Sequence, residues 1–321
     1  MLDSRILEKL QPVTEEEQRI LDGDKTVNWQ LYNENGTGYV NAKKLLKSGK
    51  LFTVRTHTRF VHFHEHSHDY VEMIYMCSGA TRHIINGEEV ILKAGELLVL
   101  SQNAVQEILP AEKDDIAVNF IILPEFFEQS LTLLGGDPSP LSRFLIGCLC
   151  SEENNGGYLH FKVSDILPIQ NLIENLLWTL LYDSKNKRYL DRTTLSLLFS
   201  QLLSYTDRLS YNNEEEDTVK LFRYIDENYK TATLTQAAAL LCYDIYHLSR
   251  EIKKKTGKTF TELLQEKRLS KAAYLLKYTE LKIADISVSV GYENISYFHR
   301  IFKGQFGMSP KEYKRANKDT Y

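Results

Sequence analysis

Two groups of residues in this chain have types and spacings that could do chemistry. The first is a run of histidines, His62, His64, His66 and His68, with Glu72 shortly after it. All five share parity, and alternate residues of an extended strand lie on one face, so a single strand would present them together. Two histidines and a carboxylate suit Fe, Mn, Ni or Zn. The same side chains equally suit the few placed polar groups of a largely apolar small-molecule pocket, or histidines that simply pack in a core or sit on a surface. The second group is a doubled polar set: Tyr246, Ser249, Arg250 and Lys253, matched fifty residues on by Ser296, His299, Arg300 and Lys303. A guanidinium fits guanine O6 and N7 with two hydrogen bonds, and a serine hydroxyl can bond a base edge or a phosphate. The competing reading of each arginine is a surface ion pair or a phosphate contact. For His247 and His299, packing or phosphate contact is the preferred reading.

Such groups work only when rigid elements hold them. Leu234, Ala237, Ala238, Leu241 and Cys242 recur 49 residues later as Ile283, Ile286, Ser287, Val290 and Gly291. The 3, 4, 7 spacing is one face of a helix, and its repetition predicts two copies of one structural unit. After each copy a residue suited to N-capping, Asp244 or Asn294, opens a second helix over 245–253 or 295–303. Helix, tight turn and capped helix make a helix-turn-helix, whose second helix enters the major groove. Leu248 and Ile252 in one such helix, and Phe298, Ile301 and Phe302 in the other, fall at core spacing. That leaves the arginines and their polar neighbours on the outer face. Between the copies, residues 261–278 predict a helix of about 17 residues and about 25 Å. This can hold two reading heads about one DNA turn, ~34 Å, apart.

Charge supports the division. With 321 residues the chain is long enough for two domains. Residues 218–321 carry 19 Lys and Arg against 11 Asp and Glu, a net of +8, whereas residues 1–217 carry 20 against 32, a net of −12. A basic segment beside an acidic one is the footprint of a nucleic-acid binder with a separate non-binding domain. Lys253, Lys254, Lys255 and Lys258 suit sequence-independent phosphate attraction. The acidic run Glu214–Asp217 reads as a linker or helix start. No apolar stretch approaches the roughly 20 residues of a membrane span, and the N-terminus lacks the apolar core of a signal peptide. A cytoplasmic protein with no membrane partner is expected. Cys77, Cys148, Cys150 and Cys242 form no CxxC pair, so buried free thiols are the default.

The first 160 residues carry another pattern. Strand candidates are 51–55, 70–76, 82–85, 89–92, 96–100 and 116–122, and Asn86-Gly87 is a strong hairpin turn signal. Short, evenly spaced strands predict a jelly-roll barrel. Two apolar-periodic helices follow, 165–183 and 191–209, with Ile166, Ile169, Leu172, Ile173, Leu176, Leu177 and Leu180 on the first. Residues 1–24 read as helix packed on the barrel.

These residues carry two resemblances. Residues 218–315 resemble the DNA-binding domain of the AraC family of bacterial regulators. The matching pieces are Leu248-Ser249-Arg250, Gly257, Arg268-Leu269 with Ala272, Leu275-Leu276, Ile283 to Tyr292, Ser296 to Lys303, and Phe306-Gly307-Met308-Ser309-Pro310-Lys311-Glu312-Tyr313. Cys242 departs from the family's usual glycine, so the first turn must avoid strong positive φ or carry strain. The barrel region resembles a cupin: His66-Ser67-His68-Asp69-Tyr70-Val71-Glu72 with Gly79 matches its first motif, and Gly87 to Ala94-Gly95-Glu96 its second. Gln106 stands where the second motif would place a further histidine. The resemblance implies an α+β two-domain protein: a cupin-like sensing domain over 1–162, a helical linker or dimerisation region over 163–213, and a tandem helix-turn-helix domain over 214–321. It implies a transcription regulator, with promoter DNA as partner, a small-molecule effector such as a sugar or other metabolite, a homodimer formed by the linker helices, and no cofactor or metal. Packing of those helices on the barrel is the competing reading. Effector-pocket candidates are His64, His66, His68, Glu72 and Gln106. DNA-contact candidates are Tyr246, Ser249, Arg250, Lys253, Asn294, Ser296, His299, Arg300 and Lys303. The alternative function is a metal-dependent cupin dioxygenase or isomerase with an appended DNA-binding segment.

Overall fold

The computed structural model describes residues 2–24, 26–33, 38–46, 50–102, 104–127, 147, 157–182, 186–211 and 216–317. The chain forms two compact units, with the principal break between Asn212 and Asn213.

In the first unit, Asp3 and Thr14 cap two short helices, α1 (Ser4–Leu10) and α2 (Glu15–Leu21), rather than the single helical segment expected. Thr14 and Glu17 exchange a reciprocal capping box. Glu17 also meets Arg59 in a buried ion pair at 2.8 Å, which fastens α2 to the barrel. Next come β1 (Tyr39–Val40), the single turn α3 (Ala42–Leu45), β2 (Phe52–Thr56), β3 (Phe63–His68) and β4 (Val71–Ser78). They are followed by β5 (Ala80–Ile85), β6 (Glu88–Lys93), β7 (Leu97–Leu100), β8 (Gln106–Ile108), β9 (Ile116–Ile122) and β10 (Tyr158–Phe161). The unit ends with α4 (Leu167–Leu181), α5 (Lys187–Ser204) and β11 (Leu209–Tyr211). The strands make two sheets, β1-β3-β8-β5-β6 and β11-β10-β7-β4-β9-β2. The hairpin between β5 and β6 turns at Asn86 and Gly87, with φ of 50° and 85°. Two successive positive φ values define the turn whose twist matches flanking strands, which is why Asn-Gly is favoured there.

A buried cluster of Ile74, Met76, Leu98, Leu100 and Ala117 from one sheet with Ile85, Val90 and Leu92 from the other fills one end of the barrel. β4 and β9 are buried along nearly their whole length. Their outer face is covered too: the Tyr75 hydroxyl donates to Gln170 of α4 at 2.7 Å, and Phe127 packs on Phe199 of α5. The helices expected at 165–183 and 191–209 therefore belong to this unit. The second begins earlier and ends at Ser204, because Leu209–Tyr211 pairs with β10 as a strand.

The second unit is all helix among its described residues: α6 (Glu216–Asn228), α7 (Leu234–Leu240), α8 (Ile245–Thr256), α9 (Phe260–Tyr278), α10 (Ile283–Ser289), α11 (Ile295–Phe306) and α12 (Pro310–Ala316). The duplication continues past the expected helices. α8 ends at Gly257 and α11 at Gly307, and Thr259 with Glu262 repeats the capping box of Ser309 with Glu312. Leu269, Ala272, Leu276, Ile286, Phe298 and Phe302 form one buried cluster across α9, α10 and α11. In the second turn Gly291 has φ 91°, and a Cβ there would lie 2.7 Å from the Lys230 carbonyl oxygen. Cys242, at the matching position, has φ 57°, so the first turn carries the strain a side chain meets in the left-handed region. Cys242 is also exposed, unlike the buried thiol expected, while Cys77 is buried; Cys148 and Cys150 lie outside the described residues.

Candidate effector cavity and DNA-reading surface

The histidine run does not present one face. A bulge in the β3–β8 pairing between Phe63 and His66 inserts an extra residue, as bulges do, and shifts the alternation. Phe63, His66 and His68 are buried, whereas His64 is exposed with its ring 4.3 Å from that of His62. The shared-face expectation for His62, His64, His66 and His68 is thus corrected.

A small, partly open cavity of about 30 Å³ lies at the polar end of the barrel, lined by His66 and Glu72 together with Tyr32, Arg55, His57, Thr58, Tyr70 and Asn119. Of the five expected pocket residues, His66 and Glu72 line it. His64 is outside it, and His68 and Gln106 are buried beside it. His68 stacks on Tyr70 at 4.5 Å, and the Gln106 amide donates to His83 Nδ1 at 2.9 Å. Among the lining residues missed by sequence reasoning, Arg55 and Asn119 come from β2 and β9, whose pairing sets them opposite each other, and His57 and Thr58 follow directly on β2.

Hydrogen bonds fix the polarity of this wall. The Asn119 amide nitrogen donates to Glu72 Oε1 at 2.9 Å, so its oxygen accepts from His57 Nδ1 at 3.0 Å. His66 Nδ1 donates to the His64 carbonyl at 2.9 Å, and His68 Nδ1 to that of Tyr70 at 2.7 Å. Burial pushes His57 and His66 down to about 4 and His68 to about 3, so all three are neutral at pH 7. Each Nε2 is then a bare acceptor. Burial pushes Glu72 up to about 7, against the Asn119 bond that lowers it. His57 Nε2, His68 Nε2, Gln106 Oε1 and Glu72 Oε2 are buried with no partner. Arg55, the cation of the cavity, donates to the Tyr32 hydroxyl at 2.8 Å and reaches Glu16 of α2 at 3.4 Å. A cupin metal does not fit these residues: Gln106 is engaged with His83, and among the described residues no group of three His, Cys, Asp or Glu could hold a metal ion.

The DNA-facing candidates sit on α8 and α11. Leu248, Ile252, Phe298 and Phe302 are buried, while Tyr246, Arg250, Lys253, Asn294, Ser296, Arg300 and Lys303 are exposed; Ser249 and His299 are half-buried at the edge of that face. Asp244 accepts from the Tyr246 and His247 amides, and Asn294 from the Tyr297 amide. Both are therefore helix caps as well as surface residues. Lys258 is tied to Glu266 at 2.7 Å, leaving Lys253 and Lys254 as the freer cations. Helix α9, at 19 residues, is about 28 Å long. It is fixed to α6 by Lys267–Asp226 at 2.9 Å and by Arg268, which donates to the carbonyls of Tyr229 and Lys230.

Comparison with known proteins meets this geometry at both units. Residues 49–205 match the AraC-like ligand binding domain, and residues 237–316 match a helix-turn-helix domain. The chain belongs to the AraC family. It is a DNA-binding transcription regulator with a ligand-binding domain, and the cupin-enzyme alternative gives way to that function. It is similar to the HTH-type transcriptional activator RhaR of Escherichia coli O139:H28, with 23% identity over 263 residues, 79% of this chain and 88% of the relative. It is similar to the C-terminal domain of the two-component response regulator yesN from Fusobacterium nucleatum, at 34% identity over 32% of this chain and 99% of that one, TM-score 0.30. ToxT from Vibrio cholerae is similar at 17% identity over 83% of this chain and 98% of that one, TM-score 0.34. Among the described residues no helix is long and apolar enough to cross a membrane.

Proposed function

We propose that this regulator is a cytoplasmic transcription activator that binds promoter DNA through α8 and α11 and senses an effector in the cavity of its first unit, without transforming it chemically. Activation is suggested by the name of its relative RhaR. The observation that carries the sensing role is the polarity of the cavity wall. His57 Nε2 and His66 Nε2 accept, as does Glu72 Oε2 when the carboxyl is ionised, and His57 Nε2 and Glu72 Oε2 are buried without a partner. An unpaired buried acceptor costs about 1–3 kcal/mol, so a ligand that donates to it gains affinity. Among the described residues no three His, Cys, Asp or Glu are grouped so as to hold one metal ion. The effector is therefore a small molecule with several separated donors, hydroxyl or amine, and an oxygen for Arg55. The sugar or other metabolite expected from the sequence is of this kind.

We place the sensing unit over residues 1–212, with α4 and α5 as part of it, and the DNA-reading unit from 213 onward. Dimerisation through α4 and α5 is supported by their exposed apolar residues Leu167, Tyr189, Leu190 and Leu197, of which Tyr189 is 71% exposed. Base reading is assigned first to Arg250 and Arg300, with Tyr246, Ser249, Ser296 and His299 beside them and with Lys253, Lys303 and the exposed face of Asn294 toward phosphate.

The test is a thermal-shift and DNA-binding screen of the full chain with neutral polyols, amines and carboxylates, repeated on His66→Leu and Glu72→Gln. A donor-rich compound should stabilise the wild type and change its DNA affinity. The variants should lose that response while keeping ligand-free DNA binding, because the reading helices lie in the other unit. Variants that respond like wild type, or that stay folded yet lose DNA binding, would overturn the cavity assignment.

A further inference from the structure

One of the differences between the two helix-turn-helix units bears on how each holds its arginine. In the second unit a ladder of rings and cations runs outward from the core. Arg268, anchored on the backbone of Tyr229 and Lys230, lies 5.3 Å from the ring of Tyr292. The Tyr292 ring is 6.0 Å from that of Tyr297, and the Arg300 guanidinium lies over Tyr297 at 5.3 Å. In the first unit Tyr243 takes the place of Tyr292, held by a hydrogen bond to Asp217 at 2.5 Å, but the next rung is His247, 5.1 Å away. Arg250 instead donates its Nε to the carbonyl of Tyr246 in its own helix at 3.4 Å.

A guanidinium stacked on an aromatic face has fewer orientations to lose on binding than one free on a helix surface, and tyrosine is a strong platform for it. We infer that Tyr297 is a positioning residue that holds Arg300 ready for a base, so that the second helix-turn-helix reads sequence more sharply than the first. This rests on the assignment of Arg300 to base reading. The first unit, with His247 in place of the tyrosine and Lys253 and Lys254 exposed on the last turn of α8, contributes relatively more attraction to the backbone.

The experiment selects binding sites from a random DNA library with the full chain and then measures competition binding at each selected base pair and at several salt concentrations. The proteins are wild type, Arg300→Ala, Tyr297→Leu, Tyr297→Phe and His247→Tyr. Tyr297→Leu should weaken discrimination at the base pair read by Arg300 about two- to fivefold. The salt dependence and the melting temperature should stay unchanged, and Tyr297→Phe should behave as wild type. His247→Tyr should sharpen discrimination at the base pair read by Arg250 by a similar factor. Unchanged discrimination in both Tyr297→Leu and His247→Tyr overturns the inference. So does a Tyr297→Phe protein that behaves like Tyr297→Leu, since the hydroxyl would then be what matters. Arg300→Ala separates the two levels: full discrimination in that variant removes Arg300 as a reader and the inference with it. Relaxed discrimination there beside wild-type behaviour of Tyr297→Leu removes the role of Tyr297 alone.

Discussion

Glu72→Gln should make the first unit more stable at alkaline pH and change it little in acid. Glu72 is 5% exposed, and burial raises its carboxyl from an ordinary 4.5 to about 7. Between those values the folded chain holds a proton that the unfolded chain has released. Unfolding therefore becomes easier as pH rises from 4.5 to 7, and the penalty is constant above that. At 1.36 kcal/mol for each pH unit between the two values, the whole effect is about 3 kcal/mol. Glutamine keeps the volume and can still accept the Asn119 amide, but has no charge to bury. His57, His66 and His68 act in the opposite sense: burial favours their neutral forms, so they destabilise the fold as pH falls below 6.5. They are present in both proteins and cancel in the difference. The chain has two tryptophans, Trp29 and Trp178, both in the first unit, so their fluorescence reports on this unit during urea unfolding. The free-energy difference between variant and wild type should grow by about 3 kcal/mol, in favour of the variant, from pH 4.5 to pH 8. A difference independent of pH would refute the placement of a buried carboxyl with one oxygen unbonded inside the barrel.

Arg59→Ala should cost about 3–5 kcal/mol, because Glu17 is fully buried and would lose its ion pair. Limited proteolysis should then cut within the first 24 residues, and a wild-type digestion pattern would count against that clamp. Cys242→Gly should stabilise the second unit by about 1 kcal/mol by relieving the left-handed backbone at φ 57°, read as a rise in its melting temperature; a fall would show that the thiol contributes packing that outweighs strain. Arg250→Ala and Arg300→Ala should each cost about 1–3 kcal/mol of DNA affinity and relax preference at one or two base pairs, and unchanged preference in both would remove them from base readout.

The DNA-reading unit was the more legible half. Its helices are held by local spacing that repeats, so Leu248, Ile252, Phe298 and Phe302 could be assigned to the core from the 3.6-residue period alone. What that period could not reveal was the ladder behind Arg300, because Arg268, Tyr292 and Tyr297 meet only after α9 and α11 pack. In the barrel, β9 was legible at its full length, 116–122, as an apolar run. β8, β10 and β11 were not, since strands of three or four residues hold their shape through partners far away in sequence. The bulge in β3 defeated the parity argument that grouped His64 with His66. Asn119 was the missed signal in the cavity: a single amide in the middle of seven otherwise apolar residues has to be bonded to something buried. Arg55 on β2 and His57 just past its end sit at alternate positions and could have been grouped on one face of that extended segment. Their neighbourhood with Glu72, however, depends on β9 lying between β2 and β4.

The central claim is that the chain reads DNA with two linked heads. It is tested most directly by selecting sites from random DNA with the full chain and footprinting it on the winners. The structure predicts two short preferred blocks whose centres lie about one helical turn, ~10 bp, apart on one face of the duplex. Arg300→Ala should relax preference at one or two base pairs of one block and Arg250→Ala at one or two of the other. A single block, two blocks at variable spacing, or binding with no sequence preference would contradict the account.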